Sequence, residues 1–592
     1  MTRAAALGFL LAVTRVAPAG AQTGPRLTTP EIPKRLPDGY TVLPFENVSG
    51  VKGLEWMRVA LPIALAEKLE GHPALRLMSA GDLIVPEGVA PGFVDEAVVV
   101  AAAEKLGARF VWTGSFRRPE WKLEMRIRLW AVEDGTATVI GEERRLGDFS
   151  DVFNLLDDAC ATLLAKADRP VPETARARIE RQPTKDFYAF TLYGRGLLGL
   201  VGLTGLPADL ARAEKDLSRS VFIDPKFAEG HRMLAVVYTR LGKSGKARGQ
   251  LEYALDLRED YHAPLSLLVR DAYEAKQRDE AIDLAVRALS LRPWDLETRY
   301  LLGEMLWEEG DADGARRELR RLTEVAPEHL PARRVLVLVH AAQGNMEDLA
   351  SELEEILKRD PDDERAKLDL GAAYHALGDD ARARAVYEGI VAANPRHLQA
   401  LKFLGDIFRA RGDLETAIAY YEKALAANRN DPRPYFLLGS AYLSAGDEDK
   451  ALKIYQSARR FPRYLAESYS NIGALLLKRG EHDQALPYLK TASLKKPNNP
   501  RIHYNYGLAL SQARVRDRAL AEMTLATELD PTEADFQFGL GVALLRVGRV
   551  EEAERAFQAA VRLDPEHADA QHNLQLIDEL RRRAREGEIQ IE

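Results

Sequence analysis

Between residues 228 and 567 the apolar positions recur on a fixed 34-residue ruler, ten units without an insertion. Leucine stands in one slot of eight of the ten units, from Leu234 to Leu540. The next slot holds Gly303, Gly371, Gly405, Gly439, Gly473, Gly507 and Gly541. Twelve residues further on stand Ala247, Ala281, Ala315, Ala383, Ala417, Ala451, Ala485, Ala519 and Ala553, with Leu349 alone breaking the series. Proline closes units at 293, 327, 361, 395, 497, 531 and 565. With 42 glycines and 30 prolines in 592 residues, chance would put fewer than one of each in ten slots, so the period belongs to the chain.

Each unit carries two helical periodicities, which predicts a pair of antiparallel helices. Glycine on the first and alanine on the second allow a close approach that larger side chains would overpack. Gly378-Asp379, Gly412-Asp413 and Gly446-Asp447 mark the turn inside the unit, glycine ending one helix and aspartate capping the next. Tyr387, Tyr421, Tyr455 and Phe557 are the large residues expected to fill the space against the following unit. A helix of about a dozen residues is marginal alone, so the units must stack and share a core. A longer unit is expected ahead of the ten, with Tyr193-Gly194, Ala213 and Asp224-Pro225 in order, and Ala568–Arg585 should form a polar-faced capping helix before the tail that ends at 592.

The pattern changes upstream. Short apolar runs at Tyr40–Phe45, Ala74–Met78, Arg109–Phe116, Leu123–Val132 and Thr136–Glu143 alternate with helical stretches at Leu54–Leu69, Val94–Leu106 and Phe153–Leu164. In the run from Leu123, Met125, Ile127 and Leu129 share one face with it, and Glu124, Arg126 and Arg128 the other, as in a half-buried antiparallel strand. Asp134-Gly135 is a hairpin signal. The order β-α-β-α-β-β-β-α predicts a small α/β domain over 38–168, joined to the repeats by a proline-rich, charged linker at 169–185.

The first 21 residues read as a secretory signal: Arg3, then apolar Ala4–Val13, then Ala19-Gly20-Ala21 as a cleavage site, with a proline-rich linker at 22–37. Arg15 is unusual so close behind the apolar run. The expectation is export from a bacterial cell to the periplasm or beyond. Beyond this segment no apolar run reaches the roughly 18 residues needed to span a bilayer. A net charge of −8 gives no basic surplus for nucleic acid. The lone Cys160 excludes a disulfide framework and reads as a small core hydrophobe.

Several motifs suggest chemistry without its context. Gly194, Gly196 and Gly199 spell a dinucleotide fingerprint, but a helical repeat precedes them where a strand is required. Gly242-Lys243-Ser244 lacks the first glycine of a phosphate loop, Val237 standing there. His567 and His572 are poorly spaced for shared metal ligation. No enzyme, metal or cofactor is expected.

The 34-residue unit is similar to the tetratricopeptide repeat, on Leu370-Gly371, Tyr374, Ala383, Tyr387 and Pro395 in one copy. That resemblance implies an α-solenoid with a right-handed superhelix over 186–567, a protein-interaction scaffold, and partners that are proteins or extended peptides. It also implies that binding residues lie at set places on the first helices. Two slots before the glycine comb stand Asn471, Asn505 and Asn573, with Gly539 interrupting; beside them Phe436, Tyr504 and Phe538 offer aromatic anchors. The same residues could instead be packing between units. The stretch before it, with VLPFENVSG at 42–50 and LGARFVWTGSF at 106–116, resembles the amino-terminal domain of the TolB-like family, which implies a non-catalytic module of the cell envelope. The alternative to a scaffold is a regulatory or sensor protein whose repeats transmit partner binding to the α/β domain.

Overall fold

The computed structural model describes residues 29–33, 36–78, 94–202 and 208–585. The expected signal segment 1–21, part of the 22–37 linker and the end of the tail lie outside these residues. The described chain divides into two compact units, 29–345 and 346–585.

The first unit opens with a mixed sheet. Its strands are β1 (Asp38–Val42), β2 (Glu46–Asn47), β3 (Leu75–Leu77), β4 (Phe110–Arg117), β5 (Leu123–Glu133) and β6 (Thr136–Gly147). Their order is β3-β1-β4-β5-β6, with β2 also paired to β4; β1 runs parallel to β3 and β4, and β5 antiparallel to β4 and β6. Helices α1 (Met57–Leu69) and α3 (Val152–Lys166) cover one face over Tyr40, Trp112, Met125 and Ile127. Helix α2 (Glu96–Leu106) covers the other over Val111 and Trp130, and stops at Gly107, whose φ is +66°. Cys160 is buried in the first of these cores, where burial pushes its thiol up to about 12. Glu124, expected on the outer face, is buried: Arg117 and Arg144 grip it at 2.8 and 2.7 Å and hold its carboxyl down to about 2. The stretch 169–185 is more than a linker. It folds a two-turn helix, α4 (Glu173–Ile179), whose Ala175 and Ile179 are buried, and Lys68 donates to the Ile179 carbonyl at 3.2 Å.

Helix pairs follow: α5 (Phe187–Val201) with α6 (Leu210–Ile223), α7 (Ala228–Arg240) with α8 (Ser244–Leu257), α9 (His262–Glu274) with α10 (Arg278–Leu291), and α11 (Leu296–Glu308) with α12 (Ala312–Val325); α13 (Leu330–Gln343) ends the first unit. The three glycines of the fingerprint-like motif are packing glycines on α5. Gly194 lies under Trp56, Gly196 under Leu217, and Gly199 against the backbone at Asp209 and Ala213.

The second unit begins with α14 (Met346–Arg359). Six pairs follow: α15 (Glu364–Ala376) with α16 (Asp380–Ala393), α17 (Leu398–Ala410) with α18 (Leu414–Ala427), α19 (Arg433–Ser444) with α20 (Glu448–Ala458), α21 (Leu465–Lys478) with α22 (His482–Lys495), α23 (Pro500–Gln512) with α24 (Arg516–Leu529), and α25 (Ala534–Arg546) with α26 (Val550–Leu563). Helix α27 (Ala568–Arg585) closes the described chain. The division between the two units falls inside the repeat that carries Val337 and Leu349 in place of glycine and alanine.

The glycine comb sits at the closest point of each pair. Across from Gly371, Gly405, Gly439 and Gly541 lie the rings of Tyr387, Tyr421, Tyr455 and Phe557, sixteen residues on in the same unit. These large residues therefore fill space first within their own unit. Tyr387 also reaches the following one, stacking on Phe403 at 5.1 Å. The turns form as the Gly-Asp pairs predict. Gly378, Gly412 and Gly446 have φ of +80° to +81°, and the side chains of Asp379, Asp413 and Asp447 accept from main-chain amides three residues on.

Candidate protein-binding surfaces

Two recurrent devices fix several of the first helices. The last slot of a unit caps the helix that follows: the side chains of Asp295, Asp363 and Asn499, and of His329, His397 and His567 through Nδ1, each accept from the amide three residues on. His567 is thus a helix cap, and its partner in the sequence motif, His572, is exposed. Four slots before the glycine comb, a long polar side chain reaches back to the carbonyl of the proline six residues earlier. His231 Nε2 meets Pro225, Arg299 Nη2 meets Pro293, Arg333 Nε meets Pro327 and His503 Nε2 meets Pro497, at 2.8–3.0 Å. In the sequence this latch shows only as polar residues scattered in an otherwise apolar stretch.

The slots two and three before the comb are adjacent on each first helix. In the second unit of the structure the first helices α21, α23 and α25 touch in succession. Asn471 and Asn505 occupy the same slot on α21 and α23, half-buried, and no side-chain hydrogen bond ties either amide among the described residues. Each therefore has a donor and an acceptor to offer. Ala474, Leu477 and Leu508 beside them are half-buried as well. Asn573 differs, since its amide donates to the Asp569 carbonyl of its own helix at 2.7 Å.

The aromatic slot is engaged in packing. Tyr504 lies 5.1 Å from Phe536, ring to ring, and its Cε2 would meet a Cβ at Gly539 at 2.6 Å; burial pushes its hydroxyl up to about 12. Gly539, which interrupts the asparagine series, is thus the glycine that makes room for Tyr504. Phe538 packs on Phe557 and His567, and Phe436 lies 6.1 Å from Tyr464. Each of the three rings remains half-exposed.

In the first unit the corresponding slots hold a protein surface. Arg232 stands where Tyr504 stands in its own repeat, and its Nη2 donates to Glu67 Oε1 of α1 at 3.0 Å. Tyr261 completes this contact, accepting from Arg232 Nε at 2.7 Å. Arg292, just past α10, pairs with Glu70 at 2.8 Å. Leu267 and Leu301, in the slot of Asn505, line a cavity of about 490 Å³ together with Glu67, Glu70 and His262. Burial, with Glu229 nearby, raises the Glu67 carboxyl to about 8. Burial also opposes ionisation of Glu70, but Arg292 outweighs it and holds that carboxyl below its ordinary range. The sequence reading missed Glu67, Arg232, Glu70 and Arg292. Their pairing spans 165 and 222 residues of chain and leaves no local signal.

Models described as tetratricopeptide repeat match residues 272–337, 340–405, 435–463, 471–515 and 509–568, and one described as TPR repeat matches 405–446. No curated protein sequence matches the chain. Among solved structures, the chain is similar to YrrB, titled a TPR protein with an unusual peptide-binding site, at 24% identity over 32% of this chain and 97% of that one, with a TM-score of 0.27. It is similar to yeast Tom70 at 18% identity over 67% and 90%, TM-score 0.33, and to the Naa15/Naa10 complex with HypK-THB at 19% over 61% and 62%, TM-score 0.35. The 34-residue frame, the helix pairs that realise it and the matches along 272–568 make the chain a tetratricopeptide repeat protein.

Proposed function

We propose that the chain is a protein-interaction scaffold of the bacterial cell envelope, and that the first-helix face of the later repeats, around Asn471 and Asn505, holds an extended segment of a partner protein. One observation carries the reading. The neighbouring slot, that of Tyr504, already binds a protein surface in cis on an earlier repeat, through Arg232 to Glu67. On α21 and α23, Asn471 and Asn505 present amides with no side-chain hydrogen bond among the described residues, between half-buried apolar residues, a surface suited to a peptide backbone with apolar side chains. The reading includes no catalytic step. Export, and kinship of the α/β domain with the TolB-like module, remain parts of this proposal that rest on the sequence.

The test is affinity capture from the native organism with wild-type protein and with Asn471→Ala/Asn505→Ala, followed by mass spectrometry. Both amides are half-exposed, so the variant keeps its helical content. Loss of specific partners supports the groove, and an unchanged partner set refutes it. Fractionation of a tagged copy tests export, which recovery in the cytosol would refute.

A second reading, a regulator whose repeats report partner binding to the α/β domain, is favoured by the contacts that Glu67 and Glu70, at the end of α1, make with Arg232 and Arg292 of the repeats. It predicts that Glu67→Gln/Glu70→Gln changes partner affinity, which a scaffold with a passive α/β domain would not show.

A further inference from the structure

The short segment before β1 is itself a bound peptide. Thr29 is buried against the third of the 34-residue units. Its hydroxyl donates to Glu318 Oε2 at 2.7 Å and accepts from Arg321 Nη1 at 3.0 Å. Arg321 also donates to the Thr29 carbonyl at 3.2 Å, and Arg299 Nη2 to the Pro30 carbonyl at 2.9 Å. Three side chains therefore read one hydroxyl and two successive main-chain carbonyls. Arg299 and Glu318 are 0% and 1% exposed and paired with each other, so the charges that make these contacts are held in place by the repeat. Buried charges keep a fixed geometry only when paired in this way.

The seat departs from the latch it is built on. In two other repeats the latch is filled by its nearest repeat neighbours: His231 meets Gln250 and His503 meets Glu522, each also holding its proline carbonyl. In the third unit Arg299 makes both of those contacts and has donors left over, and they point to a segment of chain 269 residues away in sequence. Nothing in the seat requires an amide donor from the residue after threonine, so proline fits there. Its fixed φ also lowers the entropy lost on docking.

We propose that Arg299, Glu318 and Arg321 form a second peptide-recognition site, specific for an extended segment in which threonine or serine precedes proline, with Thr29-Pro30 as its resident occupant. A partner segment of that chemistry competes with the strap for the seat. The site uses none of the first-helix residues invoked for the groove, so the two readings stand or fall separately.

The test uses the full-length chain and a fluorescein-labelled peptide of residues 25–35, PRLTTPEIPKR. In Thr29→Gly/Pro30→Gly the cis strap loses its hydroxyl and its stiffness. This variant is expected to bind the peptide at least tenfold tighter than wild type, whose seat is filled. Adding Arg321→Ala should return binding to the wild-type level; Arg321 is chosen because Arg299 also anchors the repeat to Pro293. A peptide with valine for its second threonine should bind at least tenfold more weakly. Equal binding by the wild-type and Gly/Gly chains, binding that survives Arg321→Ala, or indifference to the valine would each overturn the proposal. Circular dichroism of all three proteins confirms that the helices are intact.

Discussion

Tyr421 lies over Gly405 so closely that a Cβ at 405 would come within 2.4 Å of its Cε1. The ring is fully buried and its hydroxyl donates to Asp406 at 2.6 Å, so it has little freedom to move aside. Gly405→Ala should therefore destabilise the array by about 1–3 kcal/mol through overpacking. Gly389, on the second helix of the preceding unit, has nothing within 4 Å of where its Cβ would stand. Gly389→Ala should stabilise by up to about 1 kcal/mol, since alanine is the better helix former. Urea denaturation of the two variants checks the pair. Equal effects would mean that the comb glycines do not set the helix spacing.

The Glu67 carboxyl gives the contact between the α/β domain and the repeats a pH dependence of known sign. Burial raises it to about 8 in the folded protein, against 4.5 unfolded. The folded state therefore binds the extra proton, and stability falls as pH rises from 4.5 to 8. Glu67→Gln keeps an acceptor for Arg232 and removes the ionisable group. The variant should melt at a higher temperature than wild type at pH 8, and the gap should close as the pH is lowered towards 4.5. A gap that is constant with pH, measured by calorimetry, would show that Glu67 is ionised in the folded protein at neutral pH.

Asp413 tests the turn chemistry inside a unit. Its side chain accepts from the Thr416 amide at 3.1 Å, directly after Gly412 in the left-handed region. Asp413→Ala should cost about 0.5–2 kcal/mol by leaving that amide uncapped. Asp413→Asn keeps the acceptor and should cost much less, a difference readable from the same denaturation curves.

The repeats were legible because their packing is local. Gly405 and Tyr421 are sixteen residues apart and recur at 34, and glycine faces a large side chain at that spacing in seven of the ten units. The strand alternation in β5 was legible for the same reason, except at Glu124, where two arginines on neighbouring strand positions make burial of a carboxylate favourable. What escaped was long-range and unrepeated. Arg232 with Glu67, and Arg299 with Thr29 and Pro30, depend on where the α/β domain and the strap come to rest, and no periodicity encodes that. The helix at Glu173–Ile179 escaped because its flanking prolines and its charges read as a linker, while only Ala175 and Ile179 carry its buried side.

Tyr504 and Asn505 are neighbours in sequence that the structure gives different work, and separate substitutions can tell this apart. The Tyr504 ring fills the space left by Gly539 and lies against Phe536. Tyr504→Ala opens a cavity between two repeats and should cost about 1–3 kcal/mol, less than a fully buried aromatic because the ring is half-exposed. Asn505 makes no side-chain hydrogen bond among the described residues, so Asn505→Ala should leave stability within about 0.5 kcal/mol of wild type. Partner binding should respond in the reverse order. With both variants held well below their melting temperatures, Asn505→Ala should weaken capture of an extended partner more than Tyr504→Ala does, because the amide is the group free to meet a peptide backbone. Equal loss of capture from the two, or loss from Tyr504→Ala alone, would make the aromatic the anchor and the amide a bystander.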